Sequence, residues 1–294
     1  MRFGLTTPVV TLVPRSHAAW EVEAGPEEIR RIAETADRLG YDYLSCSEHV
    51  AIPTPVAEVR GGRYYEPAAT LGFIAAATRQ IRLLTHVIVL PYHHPLAVAK
   101  RYGTLDRLSG GRVILGVGVG SLEPEFALLG ADFDGRGARY EDALRALRAA
   151  LGARQPSYQG PHYAFADFIV DPCAVQSHLP IWIGGRSLRS LRRALELADG
   201  WDPFGLDRAQ LAALLERARD TPAWQQRTAA FDLVLTPDQP LPLDDARDVD
   251  AARALVQSYA AIGATALNLR FRHRSLAHYL ELLERFAHEV IATR

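Results

Sequence analysis

The sequence predicts an α/β protein, a (β/α)₈ TIM barrel with insertions, formed by a single domain over residues 1–294. Eight apolar segments of strand length alternate with helical segments, and helical crossovers favour parallel pairing of strands. Eight such units in 294 residues suit a closed barrel. The rival fold is an open doubly wound sheet, which we disfavour because no GxGxxG fingerprint follows the first strand. No low-complexity linker divides the chain.

The predicted strands are apolar, and the third is rich in β-branched residues. They cover residues 2–7, 41–49, 81–91, 112–120, 179–185, 199–204, 229–235 and 264–271. The predicted helices cover residues 25–40, 66–80, 94–111, 137–152, 189–198, 207–219, 249–262 and 275–292. Pro26 suits the first turn of the first helix, and Gly40 suits its end. Residues 50–66 are predicted as a long loop, and residues 158–168 as a hairpin excursion.

Composition and charge exclude several classes of protein. The 33 basic and 34 acidic residues nearly cancel, so nothing favours nucleic acid or an acidic membrane surface as a partner. No apolar run approaches the roughly 20 residues that cross a bilayer, and the first apolar stretch is too short for a signal peptide. Cys46 and Cys173 fit neither a metal spacing nor a disulfide framework. We expect a cytoplasmic protein that acts on a small-molecule substrate.

The fifth predicted strand ends in "IGGRS", where two glycines precede a helix. Backbone amides at Gly184 and Gly185, together with the positive end of the helix, would favour an anion such as a phosphate. Arg186 would add charge and Ser187 a hydroxyl donor. The alternative is a tight turn that needs a positive φ.

The fourth predicted strand runs into "GVGVG", with Gly116, Gly118 and Gly120. This pattern alone is a weak signal, because it lacks the GxGxxG spacing and follows the fourth strand. Its alternative explanation is close packing inside a barrel mouth. Functional groups of such barrels gather at the carboxyl ends of the strands. Two adjacent glycine-lined strand ends therefore favour a flat or phosphorylated ligand that lies on backbone.

The second predicted strand ends in Glu48 and His49. A histidine at a strand end can act as an acid, a base or a hydrogen-bond donor near neutral pH. The alternative is that His49 anchors the loop that follows.

Other candidate side chains follow the third strand and lie in the 50–66 loop. His93 and His94 are adjacent, so they point in different directions, and no carboxylate is spaced to complete a metal site. We therefore predict no metal. Tyr64 and Tyr65 either line a pocket or anchor the loop.

Several stretches resemble the bacterial luciferase-like superfamily of (β/α)₈ enzymes that use flavins or deazaflavins. They are "SEHV" (47–50), "THVIVLPYHHPLAVAKRYGTLDRLSGGRVILGVGVG" (85–120), "RGARYEDALRALR" (136–148), "LPIWIGGRSLRSLRRALELADGW" (179–201) and "GATALNLRF" (263–271). They span most of the chain in the right order. The most similar subgroup is the actinobacterial one usually described as oxidoreductases that use the deazaflavin coenzyme F420.

The resemblance implies roles for particular residues. A non-prolyl cis peptide in the third strand, near His86–Val87, would bulge beneath the central ring of the cofactor. The "IGGRS" turn would bind the ribityl phosphate of the cofactor, and His49 would be an active-site histidine. Glu48 would face the cofactor or the substrate. The residues implied to bind the cofactor are His86, Val87, Gly118, Gly120, Ser121, Gly184, Gly185, Arg186 and Ser187.

One position departs from the pattern of some relatives. Deazaflavin-dependent sugar-phosphate dehydrogenases of the superfamily carry an acidic proton donor where this chain has Ser121. Glu123 and Glu125 lie close by but do not match that position, so we do not expect a sugar-phosphate dehydrogenase. Residues 205–260 match the superfamily poorly and are short, which suggests an unusual substrate rim.

The resemblance implies an oxidoreductase that uses coenzyme F420 to move a hydride to or from a small organic substrate. The alternatives are an FMN-dependent monooxygenase on the same scaffold and a non-catalytic flavin-binding protein. Luciferase-like barrels commonly pair through helices near the start of the barrel. The apolar helix "PAATLGFIAAAT" favours a homodimer here, unless it is buried against its own barrel.

Overall fold

The computed structural model of the protein describes residues 1–14 and 16–292. Eight parallel strands each pair with the next one in chain order, and the eighth pairs with the first, so the sheet closes on itself. The strands are β1 (Arg2–Thr6), β2 (Tyr43–Cys46), β3 (Arg82–Thr85), β4 (Val113–Gly118), β5 (Ile181–Gly184), β6 (Gly200–Asp202), β7 (Asp232–Leu235) and β8 (Ala266–Leu269). The predicted barrel is confirmed, and the open sheet is excluded.

A main helix follows each strand. The helices are α1 (Pro26–Arg38), α2 (Pro67–Ala77), α3 (Pro95–Ser109), α4 (Arg136–Ala150), α5 (Leu188–Leu197), α6 (Arg208–Arg219), α7 (Ala246–Ala261) and α8 (Leu276–Phe286). Proline in the first turn favours the starts of α1, α2 and α3. In this arrangement helix N-termini and strand carboxyl ends share one end of the barrel, where ligands of such barrels bind.

An apolar layer fills the barrel interior. It consists of Tyr43, Leu84, Ile114, Trp182, Val234 and Ala266. The rings of Tyr43 and Trp182 meet edge-on at 5.4 Å. Gly4 leaves room for this packing, because a Cβ there would lie 2.0 Å from the Tyr43 ring. The interior is therefore a packed core, and a ligand has access to the strand ends only from the mouth.

The 50–66 segment contains regular structure, so its prediction as a long loop is wrong in part. Thr54–Arg60 forms a helix, and Arg63–Tyr64 pairs antiparallel with Thr11–Leu12. The helix has fewer than two full turns and no buried residue, so it carries no apolar periodicity to reveal it. The two-residue strand depends on a partner more than 50 positions away, which local patterns do not indicate.

The predicted strand 81–91 is interrupted. β3 ends at Thr85, the His86–Val87 peptide bond is cis as the resemblance implied, and Ile88–Val89 then pairs again with β4. A 3₁₀ turn occupies Leu90–Tyr92. The apolar run is continuous because both halves are buried, so composition did not reveal the break.

The other predicted elements are present with shifted ends. The hairpin excursion is confirmed by antiparallel pairing of Tyr158–Gln159 with Ala164–Phe165. Sequence reasoning missed the short helices Glu123–Leu128 and Pro222–Gln225. Among the helices of the described residues, none has the length and apolar character needed to span a membrane.

Candidate active site

Three predicted cofactor residues, Val87, Gly118 and Gly184, meet at the carboxyl ends of β3, β4 and β5. A Cβ atom at Gly118 would lie 2.7 Å from Cγ2 of Val87, and one at Gly184 would lie 3.0 Å from Cγ1. The two glycines therefore make room for the Val87 side chain. This agrees with the alternative explanation of these glycines, close packing inside the barrel mouth. We call these three residues the glycine shelf.

The other glycines of β4 and its loop also serve packing. A Cβ at Gly116 would lie 1.9 Å from the carbonyl oxygen of Thr85. Gly120 has a φ of +76°, and a Cβ there would lie 2.6 Å from the Phe126 ring. Its carbonyl accepts a hydrogen bond of 3.2 Å from Nε of Arg136. Ser121 follows with an exposed side chain.

The turn after β5 needs glycine on conformational grounds. Gly185 has a φ of +118°, and a Cβ there would lie 2.8 Å from Cβ of Ser190. Ser187 caps α5, because its hydroxyl accepts a hydrogen bond from the backbone N–H of Ser190 at 3.3 Å. Arg186 is exposed, and its guanidinium carbon lies 5.9 Å from the centre of the Phe204 ring. The tight-turn alternative thus explains Gly185, whereas it does not explain the exposed arginine beside a helix N-terminus.

His49 pairs with a carboxylate that sequence reasoning left unassigned. Its Nδ1 lies 2.7 Å from Oε2 of Glu125, which follows β4 in the short helix Glu123–Leu128. Oε1 of Glu125 accepts hydrogen bonds from the backbone N–H groups of Val50 at 2.6 Å and Ala51 at 3.1 Å. Tyr92 donates its hydroxyl to Oε2 at 3.0 Å. One buried carboxylate therefore holds both the histidine and the start of the 50–66 segment.

The hydrogen bonds to Glu125 determine which ring nitrogen of His49 donates to it. Burial alone would raise the pKa of Glu125, but the hydrogen bonds from His49 and Ala51 outweigh it and lower that pKa. An ionised carboxylate only accepts hydrogen bonds, so Nδ1 of His49 is the donor. This leaves Nε2 as the ring nitrogen available to a ligand. The side chain is 18% exposed, so the ring is reachable.

Glu48 is buried, and both of its oxygens are used. Oε2 accepts a hydrogen bond of 2.6 Å from the backbone N–H of Val89, and Oε1 lies 2.8 Å from Nε2 of His93. His94 instead caps α3, where its Nδ1 accepts a hydrogen bond from the N–H of Leu96. Glu48 therefore holds the segment that follows the cis bond, through Val89 and His93. Its catalytic role stays a prediction. Within the described ranges no group of three potential metal ligands occurs.

His86 turns its side chain into the barrel. Its Nε2 lies 3.2 Å from Oδ2 of Asp202 at the end of β6. Oδ1 of the same carboxylate accepts a hydrogen bond of 3.1 Å from Asn268 on β8. Sequence reasoning assigned His86 to the cofactor through the cis peptide, whereas Asp202 and Asn268 were missed. A polar residue inside the apolar strand "ALNL" was the available signal.

The two tyrosines of the 50–66 segment differ in role. Tyr64 donates its hydroxyl to the carbonyl of Arg60 at 2.8 Å, and its ring meets the His49 ring edge-on at 4.7 Å. Tyr65 packs against the core and uses its backbone to bond Val10 and Cys46. Both anchor the segment, and Tyr64 also forms one wall beside His49.

The described residues fit a cofactor that carries a phosphate group. The first N–H groups of α5 have no intrahelical partner, and the helix dipole favours an anion there. Arg186 and the hydroxyl of Ser187 supply further donors at the same place. The fold and the candidate site together are those of the class of (β/α)₈ barrel proteins, in which ligands bind at the carboxyl ends of the strands.

The chain belongs to the family of luciferase-like monooxygenases, whose family model matches residues 1–290. An uncharacterised protein of Mycobacterium tuberculosis is 30% identical over 198 residues, which cover 67% of this chain and 68% of that protein. The family consists of oxidoreductases and monooxygenases, which confirms the resemblance seen in the sequence.

Solved structures share the fold over nearly the whole chain. The monooxygenase RslO1 from Streptomyces bottropensis has a TM-score of 0.78 at 22% identity and covers 100% of this chain and 99% of its own. The coenzyme F420 dependent tetrahydromethanopterin reductase from Methanopyrus kandleri has a TM-score of 0.72 at 16% identity, with 99% of each chain covered. The oxygenating constituent of 3,6-diketocamphane monooxygenase from Pseudomonas putida, in complex with FMN, has a TM-score of 0.74 at 14% identity, with 99% and 98% covered.

Proposed function

We propose that this protein is an oxidoreductase that uses coenzyme F420 to transfer a hydride to or from a small organic substrate. The observation that carries the proposal is the His49–Glu125 pair, at 2.7 Å, at the carboxyl ends of β2 and β4. A bound deazaflavin would supply the hydride chemistry. The chain itself would supply orientation, a dry pocket and a proton partner.

The described side chains divide these tasks. Nε2 of His49 donates a proton to the substrate or accepts one from it, because Nδ1 is held by Glu125. The start of α5 and Arg186 bind the phosphate. The glycine shelf gives the cofactor a surface of backbone and a single small side chain. The apolar layer below excludes water.

The charge beside α5 supports F420 as the cofactor. Arg186, Arg189 and Arg192 are all exposed on the first half of this helix or just before it. A cofactor with a phosphate and a polyglutamate tail presents several anionic groups, and arginine binds carboxylates and phosphates in bidentate geometry.

A second candidate function is an FMN-dependent monooxygenase. It is favoured by Ser121, which stands where some deazaflavin-dependent relatives carry an acid, and by the structural likeness to monooxygenases, one of them in complex with FMN. A protein that only sequesters a flavin is a third alternative. It has no use for a buried carboxylate that orients a histidine.

Titration of the purified protein with F420 and with FMN, followed by absorbance and fluorescence, tests the choice. We expect F420 to bind at least about tenfold more tightly than FMN, a difference of about 1.4 kcal/mol. Tight binding of FMN without binding of F420 would replace the proposal by the monooxygenase. If neither cofactor binds, the scaffold takes a different ligand and the proposal is wrong.

A further inference from the structure

Three histidines in the segments that follow β2 and β3 pair with carboxylates, and one of these pairs differs from the other two in its position. The His49–Glu125 and His93–Glu48 pairs lie among the loops after β2, β3 and β4. The pair formed by His86 and Asp202 spans the interior of the barrel, from the end of β3 to the end of β6. We call His86, Asp202 and Asn268 the interior triad.

The interior triad is costly to bury. Asp202 and Asn268 are fully buried, Oδ1 of Asn268 has no hydrogen-bond partner among the described residues, and Oδ2 of Asp202 lies 3.2 Å from Nε2 of His86. Replacing a buried ion pair by apolar side chains is often neutral or stabilising. The apolar layer in the same barrel interior shows that this interior can be packed without charged side chains. Fold stability therefore gives no reason for the triad, and buried titratable pairs of this kind cluster at functional sites.

The ring nitrogens of His86 have different surroundings. Nε2 lies 3.2 Å from Oδ2 of Asp202 and 3.5 Å from the amide nitrogen of Asn268, whereas Nδ1 forms no hydrogen bond with the described residues. The side chain is 13% exposed, so the ring reaches the mouth while the two residues that hold it do not. Burial alone would lower the pKa of His86, but the charge of Asp202 and the contact with it raise that pKa above its ordinary value. A carboxylate 3.2 Å from Nε2 favours the imidazolium form of the ring, which has a donor on both nitrogens.

We propose that His86 is a ligand-contact residue that donates a charged hydrogen bond from Nδ1 to an oxygen of the ligand bound in the barrel mouth. Asp202 and Asn268 are positioning residues that hold the ring in place. The acceptor is a carbonyl or anionic oxygen, which either the cofactor ring or the substrate can supply. The inference rests on the proposed function, since it requires a ligand at the mouth.

The first part of the test measures the charge of His86 in the protein without ligand. NMR of the ring nitrogens across a pH titration should show His86 as imidazolium at neutral pH, and Asp202→Asn should move its titration to lower pH. The matched control is His93→Gln, which removes another carboxylate-paired histidine and should leave the titration of His86 unchanged. A neutral His86 ring at pH 7 in the wild-type protein would overturn the proposal.

The second part measures ligand binding with His86→Gln, which keeps a hydrogen-bond donor and removes the charge. The dissociation constants of oxidised and reduced FMN and F420 are measured anaerobically, and KM is measured for any substrate found. If the acceptor is on the cofactor, His86→Gln should bind that cofactor about tenfold more weakly than the wild type in at least one redox form. If the acceptor is on the substrate, both forms should bind as in the wild type while KM rises by about tenfold.

The outcomes separate this inference from the proposed function. Circular dichroism first establishes that His86→Gln and Asp202→Asn are folded, and either variant alone is sufficient for the binding measurements. Unchanged cofactor binding in both redox forms, together with an unchanged KM, would overturn the role of His86 and leave the proposed function standing. Failure of the wild-type protein to bind FMN or F420 would overturn both.

Discussion

Glu125 holds Nδ1 of His49, which leaves Nε2 as the ring nitrogen that can meet a ligand. The carboxylate comes from a helix 76 positions further along the chain, and it also fixes the backbone of Val50 and Ala51. One residue thus couples the orientation of the histidine to the position of the segment that follows it. The two roles considered for His49, proton partner and loop anchor, are therefore separable only by choosing variants that affect one and not the other.

His49→Gln should lower turnover at saturating substrate by about 10²–10⁴-fold, the usual contribution of general acid–base catalysis. Cofactor affinity should stay within a few fold, because the phosphate site at α5 is untouched. The matched control is Tyr64→Phe, which keeps the ring against His49 and removes only the hydroxyl that bonds Arg60. Steady-state kinetics on a substrate found by screening reduced cofactor with enones, imines and ketones provide the measurement. Unchanged turnover with lower thermal stability would identify His49 as a loop anchor.

Glu125 should stabilise the fold in a pH-dependent way. Its pKa in the folded protein lies below the ordinary value of 4.5, so its carboxylate contributes stability in full above about pH 4.5. That contribution is lost as the pH falls through the folded-state pKa. Urea unfolding should show that Glu125→Gln destabilises the protein more at pH 7 than at acidic pH. Glu123→Gln, an exposed position on the same helix, is the control, and an equal loss for Glu125→Gln at both pH values would contradict the prediction.

At the scale of elements, the start of α5 combines a turn, a cap and a charge. Gly185 and Ser187 are required by the turn and the cap, so replacing either would disturb the fold whether or not a phosphate binds. Arg186 is exposed and belongs to neither the turn conformation nor the cap. It is therefore the residue whose removal tests phosphate binding.

Arg186→Ala should weaken cofactor binding by about tenfold, or about 1.4 kcal/mol, and leave the melting temperature unchanged. The loss should diminish at high salt, because exposed charges are screened. Arg31→Ala on α1 removes an equally exposed arginine and serves as the control. Equal affinities for the wild type and both variants, measured by fluorescence titration, would show that the IGGRS segment is only a turn and a cap.

For the whole molecule, the face that α2 turns away from the barrel is notable because it is apolar. Pro67–Ala77 contains no charged residue, and its exposed positions are Ala69, Phe73 and Ala76. Phe73 is 41% exposed. A helix that is apolar all round is usually buried on all sides, so we propose that a second copy of the chain covers this face in a homodimer.

Phe73→Glu should convert the dimer into a monomer, because a charge would be buried at the centre of the proposed interface. Multi-angle light scattering at micromolar concentration provides the measurement. Ala213→Glu on α6, on the opposite side of the barrel, is an exposed control that should leave the dimer intact. A monomeric wild-type protein would contradict the proposal directly.

The barrel could be predicted because its signals are local. Strand length, helix caps and the glycines that end strands are properties of a few neighbouring residues, and eight repeats of one unit leave little choice of fold. The resemblance to the luciferase-like family added the cis bond at His86–Val87. Local signals failed where structure depends on distant contacts, as in the pairing of Arg63–Tyr64 with Thr11–Leu12.

The sequence by itself determined the eight-unit barrel, and it predicted the end at which a ligand is expected and the candidates His49, Gly184 and Arg186. Only the tertiary structure decided which carboxylate pairs with which histidine. Glu48 is adjacent to His49 in sequence but pairs with His93, whereas His49 takes Glu125 and His86 takes Asp202. The physical reason is closure of the sheet, which brings the ends of β2, β3, β4 and β6 around one mouth. Side chains there choose partners by distance in space, which the order of residues along the chain does not encode.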